Sequence, residues 1–334
     1  MRLTSRKRIY HASSLILCYN SSMIKYISHQ TALEFWRKRH AVNTLATQRM
    51  QNAVLNLEIP DLNALYTDNP WGLTLPLHVL VSNDNARKVN QYLRCHISSV
   101  ELPSYSFVKI DPELIVSSPE LCFVQMADEL DKIELIRLGI ELCGSYYLTG
   151  EEITEKSFDN APPLTSVTRL STYVARATGL RGRKKSAAAL RYIVDGSASP
   201  METVMVMRLT LPYGLGGYSL PVPILNHPIY LPGRTKPLYI ADECWPSEKL
   251  ILEYNSKEFH ASSPEQVARD EIRRNALTAM GYQVIVITNE HMRNTVLLDR
   301  TVIEVSRILG KRQVYPNGFA QRQARLRRQL MPWL

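Results

Sequence analysis

The stretch "PLYIADECWPSEKLILEYN", residues 237–255, sets two apolar runs around a Trp-Pro-Ser-Glu-Lys turn. Short β-prone runs joined by a turn of this kind read as an antiparallel hairpin. Burying one face of a hairpin fixes its register, because a slip of one residue exchanges the two faces. Such a hairpin needs cover from further elements, and the flanking sequence offers them. Ser199-Pro200-Met201-Glu202 opens a helix over "METVMVMRLTL", and "SLPVPILNHPIYL" holds a short strand interrupted by prolines, as at an edge or bulge. Ser263-Pro264-Glu265-Gln266 opens another helix, stopped by Gly281, and "YQVIVIT" over 282–288 is a near-continuous apolar strand, as expected for one covered on both faces. A last helix over 297–309 has Val302, Val305 and Ile308 as its apolar side. The order helix, strand, strand, strand, helix, strand, helix predicts an α/β chain, α+β overall, with a mixed sheet flanked by helices.

Asp242 and Glu253 lie inside the hairpin's apolar runs. With the turn centred on "PSEK", they face each other or miss by one position. Opposed residues on one face have Cβ atoms about 5 Å apart, so two carboxylates there repel, and one keeps its proton unless a cation lies between them. A divalent ion held by hard oxygen ligands resolves that conflict and can activate a water. Asn255 shares the face of Glu253 by strand alternation, and His260 follows the strand end, within reach as a proton carrier. The competing reading turns either acid to solvent, paired with Lys249 or Lys257. Glu202 is explained by a capping box with Ser199. Arg269 and Arg273, four apart on the polar side of a helix, suit solvent or phosphate contacts equally, and His291 reads as a surface or packed histidine.

The first half is less regular. Residues 31–58 read mostly as helix, "LPLHVLVS", "SYSFVKI" and "LIVSS" as strands, and "NARKVNQYLRCH" as a loop with a helical turn. "PELCFVQMADELDKIELIRLGIELCG" reads as a helix or helix pair, and "GEEITEKSFDNAPPLTS" as a linker. The divisions expected are a ragged start over 1–25 with Met23 as the initiator, a mixed domain over 26–160, a basic linker or helix over 161–196, a second domain over 197–310, and a basic tail over 311–334.

Formal net charge is +9 over 334 residues, and it is localised. Residues 166–194 carry Arg169, Arg176, Arg181, Arg183, Lys184, Lys185 and Arg191 without an acid; residues 306–334 carry seven more basic residues, again without one. The remainder holds 26 basic and 31 acidic residues. Two concentrated basic segments suit a polyanion, with Arg181, Arg183, Lys184, Lys185, Arg269 and Arg273 as candidate nucleic-acid contacts. The cysteines, Cys18, Cys95, Cys122, Cys143 and Cys244, form no Cys-x-x-Cys pair. Their scatter suits a reducing, cytoplasmic compartment and offers no cysteine zinc site. No apolar run is long enough to cross a bilayer.

The succession "SPMETVMVMRLTLP", "ADECWPSEKLILEYNSKEFH" and "ARDEIRRNALTAMGYQVIVIT" resembles the restriction-endonuclease-like (PD-(D/E)XK) domain related to very-short-patch repair endonucleases, over about residues 195–295. Glu202, Asp242, Glu253 and His260 match that family's functional positions in order. The resemblance implies phosphodiester hydrolysis with Mg²⁺ or Mn²⁺, with Asp242 and Glu253 as metal ligands, Glu202, Asn255 and His260 completing the catalytic set, and DNA as partner. Where the family carries an acid two residues after the strand Glu, this chain has Asn255, and a related superfamily's Lys is absent too. More diffusely, residues 60–150 resemble the region preceding such domains in proteins related to the AbiEi antitoxins. The expectation is a metal-dependent DNA endonuclease or nuclease-like protein, the alternative a catalytically degenerate DNA-binding regulator or antitoxin-like protein. No membrane and no small-molecule cofactor are expected.

Overall fold

Two mixed sheets, each flanked by helices, organise the α/β fold. The computed structural model describes residues 25–38, 48–51, 71–82, 89–112, 114–149, 157–255 and 264–333. The elements of the first half are β1 (Lys25–Ile27), α1 (His29–Arg37), β2 (Gln48–Met50), β3 (Leu77–Val81), β4 (Val89–Asn90), β5 (Leu93–Ile97), β6 (Phe107–Lys109) and β7 (Leu114–Ser117). They form a seven-stranded sheet in the order β2-β6-β7-β1-β3-β5-β4. β1 runs parallel to β7 and β3 parallel to β5, while the other neighbours are antiparallel. All of β3 and β7 is buried, including the polar His78 and Ser117 among their apolar neighbours.

Two expectations for this half are corrected. The helix expected over 31–58 ends at Arg37, and Gln48–Met50 is a strand at the sheet margin, held by backbone pairing to β6. The stretch read as a loop, "NARKVNQYLRCH", contributes β4 and β5. Only Leu93 of β5 is fully buried, so its Arg and His hide the strand from a reading based on apolar pattern. The region 52–70 and the acidic stretch 150–156 lie outside the described residues.

The expected helix pair is α2 (Pro119–Met126) and α3 (Lys132–Leu142). Ser118 caps α2 through Leu121 N–H, and Asp131 and Glu134 form a capping box on α3. The small hairpin β8 (Tyr146–Leu148) and β9 (Phe158–Asn160) follows. The basic region 161–196 folds into α4 (Val167–Arg176) and α5 (Arg183–Leu190), which pack on α2 and α3.

The second half comprises α6 (Pro200–Thr210), β10 (Ile224–Ile229), β11 (Tyr239–Trp245), β12 (Leu250–Asn255), α7 (Pro264–Ala279), β13 (Gln283–Thr288), α8 (Asn289–Arg293), α9 (Thr295–Ile308) and α10 (Phe319–Leu330). The four-stranded sheet runs β10-β11-β12-β13 in spatial order, antiparallel except for the parallel β12–β13 pair. The proline-bearing β10 lies at an edge, as expected. β13 is the opposite edge, and most of it is only half-buried, so the expected cover on both faces is not found. The C-terminal basic segment is helical and docked: Phe319, Leu326, Leu330 and Met331 are buried.

One apolar core extends from Tyr26 to Met331 and includes side chains beneath both sheets. Polar bonds span the same seam. Tyr146 Oη and Thr203 Oγ1 are 2.9 Å apart, Ser145 N–H donates to Ser197 O at 2.8 Å, and Gln329 Nε2 donates to Asp131 Oδ2 at 2.6 Å.

Gly182 joins α4 to α5 at φ +85°, and a Cβ there would lie 2.1 Å from Val124 O. Gly182→Ala is expected to cost about 2–3 kcal/mol, combining left-handed strain with a backbone clash. Gly233→Ala, at φ +75° with nothing within 4 Å, is expected to cost only about 1 kcal/mol. Urea unfolding midpoints of the two variants check the difference.

Candidate active site

The hairpin register brings the two acids together. Glu243 pairs with Leu252, Cys244 with Ile251 and Trp245 with Leu250, leaving Pro246–Lys249 as the turn. The same register carried one step further sets Asp242 opposite Glu253, and Tyr254 N–H donates to Asp242 Oδ2 at 2.7 Å. The strands are irregular at this step. Trp245, Leu250 and Leu252 face the main core, whereas Cys244 and Ile251 join a smaller cluster with Leu277 of α7. Ala241 also joins the smaller cluster, so simple alternation breaks between Ala241 and Cys244. On β10 the change falls between Leu225 and Ile229, where Asn226 has φ +47°. Asn226 sits in register with Asp242, between the pairs Leu225–Glu243 and His227–Ala241.

Asn226 ties this step to α6. Its Nδ2 donates to Glu202 Oε2 at 2.7 Å and to Gly196 O at 2.9 Å. Glu202 also accepts from Ala198 N–H at 2.8 Å and from Ser199 Oγ at 2.9 Å. The helix-start role expected of Glu202 is thus present in altered form: the carboxylate reaches the amide of Ala198, one residue before the cap, and the cap's hydroxyl.

Electrostatics make these carboxylates one system. Burial raises the Asp242 pKa to about 7, with the charge of Glu202 adding and the Tyr254 N–H opposing. Burial likewise raises Glu253 to about 8; the charges of Asp242 and Glu202 add to this, while Tyr239 and the Asp242 amide favour the ionised form. Glu253 Oε1 is buried without a hydrogen-bond partner. Glu202 is raised, chiefly by burial, despite its three donors. Sequence reasoning missed Glu243, which is 0% exposed and has neither oxygen hydrogen-bonded; burial, with the charges of the neighbouring acids, raises its pKa well above the usual carboxylate range. It also missed Asn226 and Tyr239; the charge of Arg273 reaches the latter.

The other expected site residues are placed as follows. Asn255 is exposed at the end of β12, in register with Thr288. His260 lies outside the described residues, and of Arg269 only its position in α7 is described. Arg181, Lys184 and Lys185 are exposed, while Arg183 donates to the carbonyls of Val174 and Ala175 at the end of α4. Residues 181–185 border a separate cleft in the first half.

A different group of side chains there could hold a metal ion. His78, His96 and Glu129 each offer a ligand atom, all within 4.8 Å of one another. Among the described residues, no group of three or more ligands forms around Asp242 and Glu253. The histidines escape sequence reasoning because β5 is read as loop, so its parallel pairing with β3 is invisible.

Comparison with known proteins adds little. No family model matches the chain, and no solved structure matches it. Two uncharacterized proteins of Mycobacterium tuberculosis, from strains CDC 1551 / Oshkosh and ATCC 25618 / H37Rv, are each 33% identical to it over 76 residues. The matched region is 23% of this chain and 27% of each relative, so the match spans about a quarter of their length. Among the described residues, no helix is long and apolar enough to cross a membrane.

Asp242 and Glu253 hold protons in the folded chain that they release when unfolded. Their contribution is therefore fully present below the ordinary carboxylate range and is lost as pH rises toward the folded values of about 7 and about 8. Asp242→Asn removes one charge and keeps an acceptor for Tyr254 N–H. At pH about 8 it is expected to stabilise the metal-free fold by on the order of 2 kcal/mol, and at pH about 5 by much less. Denaturant unfolding at the two pH values measures this.

Proposed function

We propose that this chain is a metal-dependent nuclease that hydrolyses phosphodiester bonds in DNA, with Asp242 and Glu253 holding Mg²⁺ or Mn²⁺. The observation that carries the reading is the pair of opposed, partly buried carboxylates at one hairpin step, with Glu253 Oε1 left without a hydrogen-bond partner. Burial and mutual repulsion disfavour charging both acids at neutral pH, and a divalent cation is the partner that reverses both effects. An oxygen-rich donor set suits the hard cations Mg²⁺ and Mn²⁺. Such an ion, when bound, polarises the scissile phosphate and acidifies its water.

The chain's own residues have distinct tasks in this reading. Asp242 is oriented by Tyr254 N–H and Glu253 by Tyr239. Glu202, fixed by Asn226 and the start of α6, supports the electrostatics of the pair from behind. His260 carries a proton to or from the reacting phosphate, and Arg273 serves the phosphate backbone.

A DNA-binding regulator without cleavage is the second reading. Asn255 replaces the family's second acid, Glu202 is already hydrogen-bonded to three donors, and residues 181–185 border another cleft.

Plasmid nicking with Mg²⁺ or Mn²⁺ separates the readings. Asp242→Ala and Glu253→Ala are each expected to lower cleavage by about 10²-fold or more, with salt-sensitive DNA binding retained. Equal cleavage by wild type and both variants excludes this site. Asn255→Asp, which restores the acid, is expected to raise cleavage and lower the Mn²⁺ concentration needed for half-maximal rate.

A further inference from the structure

The seven-stranded sheet carries a second cluster of ionisable side chains. In the parallel β3–β5 pair, His78 lies opposite Arg94 and Leu80 opposite His96, so His78 and His96 share one face as diagonal neighbours. His78 Nδ1 is 3.1 Å from His96 Nε2 and 4.0 Å from Glu129 Oε1. Two nitrogens bound to one tetrahedral Zn²⁺ lie about 3.3 Å apart, given Zn–N bonds of about 2.0–2.1 Å. The histidine pair already has that spacing, and Glu129, exposed just beyond the end of α2, offers a carboxylate oxygen within 4.8 Å of both ligand nitrogens.

The surroundings fix the pair. The backbone of His78 is bonded to Ser28 N–H and Thr31 Oγ1, each at 2.8 Å. The His29 ring stacks on His96 with centroids 3.5 Å apart and planes inclined by 12°. His29 adopts φ +48°, in the left-handed region, and its N–H donates to Gln125 Oε1 at 3.1 Å. His96 and His29 line a cavity of about 480 Å³ whose wall also includes Arg94, Gln125, Asp128 and Arg181. Arg181 is ion-paired with Asp128 at 2.6 Å. An adjoining cleft shares Asp128 and Arg181 and continues along Lys184 and Lys185.

We propose that His78, His96 and Glu129 form a transition-metal site of the zinc class, with its fourth position toward the cavity that His96 lines and taking a phosphate group. Imidazole nitrogens select such metals over Mg²⁺. Two neutral histidines and one carboxylate leave a bound divalent ion with a net positive charge. With Arg94 beside the site, an anion at the open position offsets that excess, and the basic rim of residues 181–185 extends the same preference outward.

Cobalt substitution tests the proposal on the full-length chain, since Co²⁺ bound by nitrogen ligands reports its coordination in the visible spectrum. The Asp242→Asn variant is used throughout, so that the acidic pair does not contribute and failure of the nuclease reading leaves this test intact. One Co²⁺ per chain, retained against excess Mg²⁺, and a spectrum that shifts on adding inorganic phosphate are expected. His96→Gln and Glu129→Gln alter incompletely buried side chains and are each expected to weaken Co²⁺ binding at least about tenfold, with circular dichroism unchanged. Binding that is undiminished in both overturns the site. A spectrum unmoved by phosphate overturns the open, anion-taking position.

Discussion

Withdrawal of two facing carboxylates from water, with the charges of neighbouring acids adding to it, shapes the middle of the second-half sheet. A hairpin whose turn is Pro246–Lys249 brings Asp242 opposite Glu253, and the surrounding apolar side chains remove the solvent that would otherwise screen them. The sheet accommodates this locally. Both β10 and β11 change the face they present near Asn226 and Asp242, and Asn226 takes a left-handed backbone conformation there. Glu243, the next residue, is fully buried, and its pKa is raised well above the usual carboxylate range. These are the features of a structure holding acids where folding alone would place Val or Leu.

The two candidate metal centres differ in chemistry as well as position. Carboxylates dominate the hairpin site, a donor set of the kind hard cations prefer. Imidazoles dominate the first-half cluster, where borderline metals bind more tightly. Each centre draws two of its candidate ligands from adjacent strands of a sheet, where register sets their spacing; Glu129 comes instead from just beyond the end of α2. In the first half one candidate ligand, His78, is buried and another, Glu129, is exposed, whereas Asp242 and Glu253 are both half-buried.

Much of the second half was legible because its signals are local. The turn limited the register of β11 against β12 to within one residue, Pro-Glu at the start of α7 and Gly281 at its end bounded that helix, and Ser199 marked the start of α6. The first half resisted because its strands are short and defined by distant partners. Gln48–Met50 has no apolar periodicity and exists as a strand only through β6. Leu93–Ile97 mixes Arg, Cys and His, so its pairing with β3, and with it the meeting of His78 and His96, could not be read from spacing. Within the hairpin, cross-strand opposition suggested a common face for Asp242 and Glu253 but gave no warning of Glu243, which is buried opposite Leu252 on the face that Trp245 turns to the core. The docking of α10 was equally hidden, since its seam of Phe319, Leu326 and Leu330 is interleaved with arginines.

The interior shared by the two halves has a practical outcome for anyone dissecting the molecule. Leu211, Met205 and Val206 belong to the same continuous core as Ile136, Ile140 and Phe123, and the β8 hairpin is fastened to α6 through Tyr146 and Thr203. Excising 197–310 by itself would strip one wall from that interior and leave a greasy, aggregation-prone face. The length of chain ahead of the hairpin is therefore part of its scaffold, and evolution could discard it only by rebuilding the surface of α6.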